Sequence, residues 1–292
     1  MLLSTLTLPL SKKFGDEKAI ELIAAAGFDA YDISLTRLVD ADYALNCENY
    51  VSVAKKLRKF ADNLGIVCNQ SHAPYPSSKG DEKWDEERFE LIVKAMEIAA
   101  ILGAKIIVVH PKQHLRYSDA NNKFELFKMN VDFYKRLVPY CEKFGIKIAT
   151  ENMWQRVPGT NKIVHAPCSH AEEFSRYIDA VGSEWIVGCL DIGHLGLVDE
   201  PMYEAITTLG HERLQAIHLH DNDYLNDQHT LPFMSKTNFD PFIEGLKDID
   251  YTGDMTFETD NFLRNVPDDF LPTALKFMEQ TGRYFIEKIK AE

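Results

Sequence analysis

Short apolar runs alternate with longer amphipathic stretches from one end of the chain to the other. The runs at residues 2–8, 30–35, 66–71, 105–109, 146–150, 185–187 (continuing to Asp191), 214–219 and 254–257 predict eight strands. Between them, apolar residues recur at helical spacing over about 16–26, 50–63, 87–102, 124–144, 171–180, 202–209 and 240–246, and from near Pro267 onward. Gly27, Gly65, Gly103 and Gly145 stand where helices should stop. Longer polar segments are expected as loops at 36–48, 153–167 and 221–237. Eight strand–helix units without a dividing linker predict an α/β fold: a single (βα)8 TIM barrel spanning residues 1–292, which works at the C-terminal ends of its strands. A doubly wound open sheet is the alternative, but no GxGxxG or GxxxxGK[ST] loop follows any strand.

What ends the strands changes the picture from architecture to chemistry. The run Trp185-Ile186-Val187 leads into Gly188-Cys189-Leu190-Asp191-Ile192-Gly193-His194. A strand buried on both faces has no use for a carboxylate, so Asp191 points into a site. His72, His110, Glu151, His218 and Glu258 close similar runs, mostly at roughly 40-residue intervals, with one shorter step between Asp191 and His218. Strand alternation turns Glu151, Asp191, His218 and Glu258 inward, with Ile217, Leu219, Met255 and Phe257 facing the helices. Three carboxylates at one barrel mouth repel one another, and a divalent cation resolves that repulsion. Oxygen-dominated ligation with one imidazole favours Mn²⁺ or Mg²⁺, and Co²⁺ or Zn²⁺ are compatible.

Composition narrows the partners. A formal net charge of −13 disfavours a nonspecific hold on nucleic acid or an anionic membrane. Nothing approaches 18 uninterrupted apolar residues, and the apolar start has no basic n-region or cleavage site, so a cytoplasmic protein without a membrane span is expected. Five cysteines without CxxC spacing are expected to be reduced. A homo-oligomer is left open.

The stretches Thr150-Glu151-Asn152, Leu190-Asp191-Ile192-Gly193-His194, Ile217-His218-Leu219-His220-Asp221 and Phe257-Glu258-Thr259 resemble those of the xylose isomerase-like TIM barrels, the sugar isomerases and epimerases grouped with endonuclease IV. The resemblance covers essentially the whole chain. It implies Glu151, Asp191, His218 and Glu258 as metal ligands, Glu151 and Glu258 also as the catalytic acid–base pair, and His194 as a substrate contact or further ligand. His72, His110, Asp227 and His229 match additional positions that bind zinc in endonuclease IV, or that contact substrate in single-metal relatives. Trp154 is expected either as a sugar-stacking wall or as a packed loop residue. His220, Asp221 and Asp223 are expected as loop hydrogen bonders, His220 also as a support behind a ligand, and His114, His165, His170 and His211 as solvated.

The reaction implied is isomerisation or epimerisation of a sugar, polyol or keto-sugar through a metal-stabilised enediolate. A dehydratase or lyase acting on a keto-sugar or keto-inositol uses the same enediolate. An endonuclease IV-like polynuclear zinc phosphodiesterase and a noncatalytic sugar-binding barrel complete the alternatives. Ketose 3-epimerases place an arginine where this chain has Tyr224, and a glutamate near Val157, so the implied reaction class is broader than ketose 3-epimerisation. No Arg and Lys cluster near the site loops, which favours an unphosphorylated substrate.

Overall fold

The structure, a computed structural model, describes residues 1–117 and 120–291. Eight parallel strands close into a barrel: β1 (Leu3–Leu6), β2 (Ala30–Ser34), β3 (Val67–His72), β4 (Ile106–Val108), β5 (Lys147–Glu151), β8 (Ile186–Asp191), β9 (Leu214–Leu219) and β10 (Met255–Phe257). Two further strands, β6 (Trp154–Arg156) and β7 (Ile163–His165), form a separate antiparallel hairpin. The helices α1 (Leu8–Phe14), α2 (Asp16–Ala26), α3 (Tyr50–Leu64), α4 (Glu82–Leu102), α5 (Ala120–Phe144), α6 (Ala171–Val181), α7 (Ile192–Leu197), α8 (Met202–Arg213), α9 (Asp240–Asp248) and α10 (Leu271–Lys290) follow the strands. This is a (βα)8 TIM barrel. No helix among the described residues is long and apolar enough to cross a membrane.

Outward-facing strand residues such as Leu3, Tyr31, Ile33, Ile217, Leu219, Met255 and Phe257 pack with the helices in one continuous core. The lumen is divided by chemistry. On the side of β4, β5, β8 and β9 it is filled by Val108, Ala149, Val187, Cys189 and Ala216. On the side of β10, β1, β2 and β3 it is polar: Ser4 Oγ lies 2.8 Å from Thr256 Oγ1, and Gln70 Nε2 donates to Asp32 Oδ2 at 2.9 Å. A bulge brings this about. Tyr31 pairs with Cys68 but Asp32 with Gln70, so Asn69 is skipped and both polar side chains share the inner face.

Several expected boundaries move. The chain leaves β1 before Leu8, because Pro9 at the first turn starts α1. α4 begins at Glu82, where Asp81 caps the helix by accepting from Trp84 N. The expected 153–167 loop contains the β6–β7 hairpin, with Trp154 opposite His165. Asp191 both ends β8 and caps α7, a helix too short to announce itself by periodicity. α8 runs past Leu209 only through a break at Gly210, whose φ of 67° needs no Cβ.

Candidate active site

Each strand end delivers its side chain to the same rim. Glu151, Asp191, His218 and Glu258 each offer a ligand atom, and these atoms all lie within 4.8 Å of one another. His218 Nδ1 is 3.1 Å from Glu151 Oε1 and 3.1 Å from Glu258 Oε2. Beside this group, His110 Nε2 lies 2.9 Å from Glu151 Oε2 and 3.0 Å from His72 Nε2. On the other side His194, His220, Asp227 and His229 form a third group of equal tightness. His229 Nε2 is 3.1 Å and His194 Nε2 3.6 Å from Asp227 Oδ2. All nine positions singled out from the sequence are thus brought together.

Backbone carbonyls fix the rings. His72 Nδ1 lies 2.9 Å from Ala73 O, His194 Nδ1 2.8 Å from Asn152 O, and His229 Nδ1 3.0 Å from Glu258 O. A carbonyl only accepts, so each Nδ1 carries a hydrogen and Nε2 is the ring nitrogen that faces the rim. Asn152 also holds Asp191, accepting from its N at 2.7 Å and donating to its O at 2.9 Å. His229 sits at a φ of 42°, uncommon for a residue with a Cβ.

The electrostatics follow from burial and neighbours. Burial pushes the Glu151 carboxyl up, but His110 and His218 outweigh it and hold Glu151 well below the usual range. Burial, then His110, lowers His72 to about 4. For His194, burial opposes the charge, yet Asp191 and Asp227 win and raise it to about 10. On His194, imidazolium charge therefore balances the neighbouring carboxylates. A divalent cation would do so with one group and leave the imidazoles neutral, and the residues fit one: rings oriented with Nε2 toward the rim, converging ligand atoms, and, among the described residues, a buried oxygen without a hydrogen-bond partner at Asp227 Oδ1.

Above the clusters opens a pocket of about 430 Å³ walled by Tyr75, Gln113, Met153, Trp154 and Arg156, a size suited to a small ligand. Tyr75 stacks on His110 with ring centroids 4.9 Å apart. Trp154 faces the pocket and donates from Nε1 to Asp227 Oδ2 at 3.3 Å, so it is a wall that also braces a candidate ligand.

A model of the xylose isomerase-like TIM barrel family matches residues 20–281. The chain belongs to this family. Among its relatives, a putative L-ribulose-5-phosphate 3-epimerase, SgbU of Haemophilus influenzae, is 22% identical over 258 residues, covering 85% of each chain. In fold, the chain is similar to a D-tagatose 3-epimerase-like protein, with a TM-score of 0.75, 22% identity and coverage of 99% and 100% of the two chains. It is also similar to IOLI, solved with a bound zinc atom, with a TM-score of 0.73, 19% identity and coverage of 99% and 98%.

Tyr224 lies outside the pocket lining, with its hydroxyl donating to Lys236 O, whereas Arg156 brings a cation to the wall that the sequence did not single out. His220 also exceeded expectation: it is fully buried, with Nε2 2.9 Å from Asp191 Oδ1, and belongs to the third cluster itself. Period-two alternation from His218 would have placed it there. Asp221 is the loop anchor expected, accepting from Ser235 N and Thr237 N, and Asp223 accepts from Leu225 N and Asn226 N. His114, His165, His170 and His211 are not simply solvated. His165 stacks on His170 at 3.7 Å, His170 pairs with Glu200, His114 with Ser78 Oγ and His211 with Asp250 O. None of the four lines the mouth.

Proposed function

We propose that the protein is a divalent-metal-dependent isomerase or epimerase of a small sugar or keto-polyol. The observation that carries this reading is the placement of two carboxylates, Glu151 and Glu258, each 3.1 Å from the same His218 Nδ1, beneath a pocket of sugar size. Glu151, Asp191, His218 and Glu258 would hold the cation, which when bound supplies Lewis-acid polarisation of a carbonyl oxygen. Glu151 takes the proton from the carbon next to that carbonyl, and Glu258 returns one from another side. His194 orients a substrate hydroxyl through its Nε2. Trp154 and Tyr75 cover the sugar and exclude water from the carbon being deprotonated. Mn²⁺ or Mg²⁺ suits the three-carboxylate group, and the histidine-rich flanks also suit Zn²⁺.

The test is deuterium uptake. Candidate ketoses incubated in D₂O with added Mn²⁺ should gain deuterium beside the carbonyl. Chelation should stop the exchange, and Glu258→Gln should slow it about 10²- to 10⁴-fold. Ketoses that change neither label nor configuration would overturn the reading; loss of water instead would assign the lyase. A second reading, phosphodiester hydrolysis by a polynuclear centre, is favoured by one observation: the nine residues fall into three adjoining clusters. It requires about three zinc ions per chain and nicking of an abasic duplex, and the net charge of −13 weighs against it.

A further inference from the structure

His218 differs from His72, His194 and His229 in what stands behind it. Carbonyl oxygens, which cannot change role, hold Nδ1 of His72, His194 and His229. Behind His218 stands Gln70, whose Nε2 is 3.0 Å from His218 Nε2 and 2.9 Å from Asp32 Oδ2. Gln70 comes from β3, which lies diametrically across the barrel from β9. All three residues are buried, at 0–3% exposure, and Asp32 Oδ1 has no partner. An amide nitrogen only donates, so this arrangement requires a bare Nε2 on His218 and puts its hydrogen on Nδ1, against Glu151 and Glu258. A cation among those carboxylates needs the reverse, with the lone pair on Nδ1 and the hydrogen on Nε2.

We propose that Gln70 and Asp32 are positioning residues for His218, and that the Gln70 amide turns over when a divalent cation is taken up. After a half-turn, Gln70 Oε1 accepts from His218 Nε2–H. The same oxygen then faces Asp32, which completes the chain as the neutral acid by donating to it. The cation displaces the Nδ1 proton to solvent, Nε2 takes up one proton from solvent, and Asp32 carries its proton in both states, so the trio's proton count is unchanged while the amide reverses polarity to match.

The inference rests on His218 as a cation ligand. Its test is cation affinity, measured by competition of Zn²⁺ and Mn²⁺ against a chromogenic chelator, and the His218 ring tautomer read by ¹⁵N-histidine NMR of the Zn²⁺-loaded parent. Gln70→Leu should weaken binding about 10- to 100-fold. Asp32→Asn, whose amide donates to Gln70 Oε1 as the neutral acid would, should keep the parent affinity. In the loaded parent the His218 signal, assigned by its loss in His218→Gln, should be the Nε2–H form. An Nδ1–H signal there, or a folded Gln70→Leu that binds within twofold of the parent, overturns the inference and leaves the proposed function standing. A parent that binds neither cation overturns both.

Discussion

Asp32 is a carboxyl group in the buried lumen of the barrel, with one hydrogen bond for two oxygens among the described residues. Burial raises it to about 7, against an ordinary 3.8 in the unfolded chain. A group whose folded value is the higher one takes up a proton on folding between those two values. Its presence therefore costs stability increasingly as pH rises from about 4 to about 7. Asp32→Asn should gain stability over the parent across that window and level off above it, which urea denaturation at pH 4, 5.5 and 8 would show; a constant difference would refute the burial argument. A second prediction concerns Gly193. A Cβ there would stand 2.0 Å from His220 Cε1 and 2.5 Å from its Nε2. Gly193→Ala should cost about 1–3 kcal/mol by overpacking and weaken cation binding, because His220 must leave Asp191. Asp32 was as legible in the sequence as Asp191, a charge inside an apolar run, but it ends no strand. A reading tuned to strand ends passes over it.

At the scale of elements, legibility depended on length and period. β9 was expected at 214–219 and is found at Leu214–Leu219, since six residues with one inward histidine make a clear pattern. β6 and β7 have three residues each and gave no period to read. Yet this hairpin supplies Trp154 and Arg156, two walls of the pocket. Its residues make no pairing with the barrel sheet, so changes there should alter substrate choice more than folding. Trp154→Ala should raise KM for the sugar by about tenfold or more with little loss in denaturation midpoint, the expected signature of a wall that binds and does not carry the barrel.

Across the whole molecule, the barrel closes between its first and last strands, β1 on β10, and α10 covers that seam. Arg283 of α10 makes paired hydrogen bonds to Asp29 at 2.6 and 2.9 Å, just before β2. Gly282 lets the helix approach so closely that a Cβ would lie 2.3 Å from Leu3 Cδ1 and 2.8 Å from Phe257 Cε2. Gly282→Ala should lower stability by about 1–3 kcal/mol without changing cation affinity, separating the seam from the rim in one pair of measurements. The eightfold alternation made this closed architecture readable. The pairings of Leu3 with Met255 and of Asp29 with Arg283 join residues over 250 positions apart and no local pattern announces them.

Glu151 belongs to two of the three clusters at once. Its Oε1 faces His218 and its Oε2 faces His110. Cations held by both clusters would depend on Glu151 in common, so their uptake would be coupled. Loading would proceed as a ladder, each rung setting the strength of the next. His110→Gln should remove a rung, and Glu151→Gln should collapse two together.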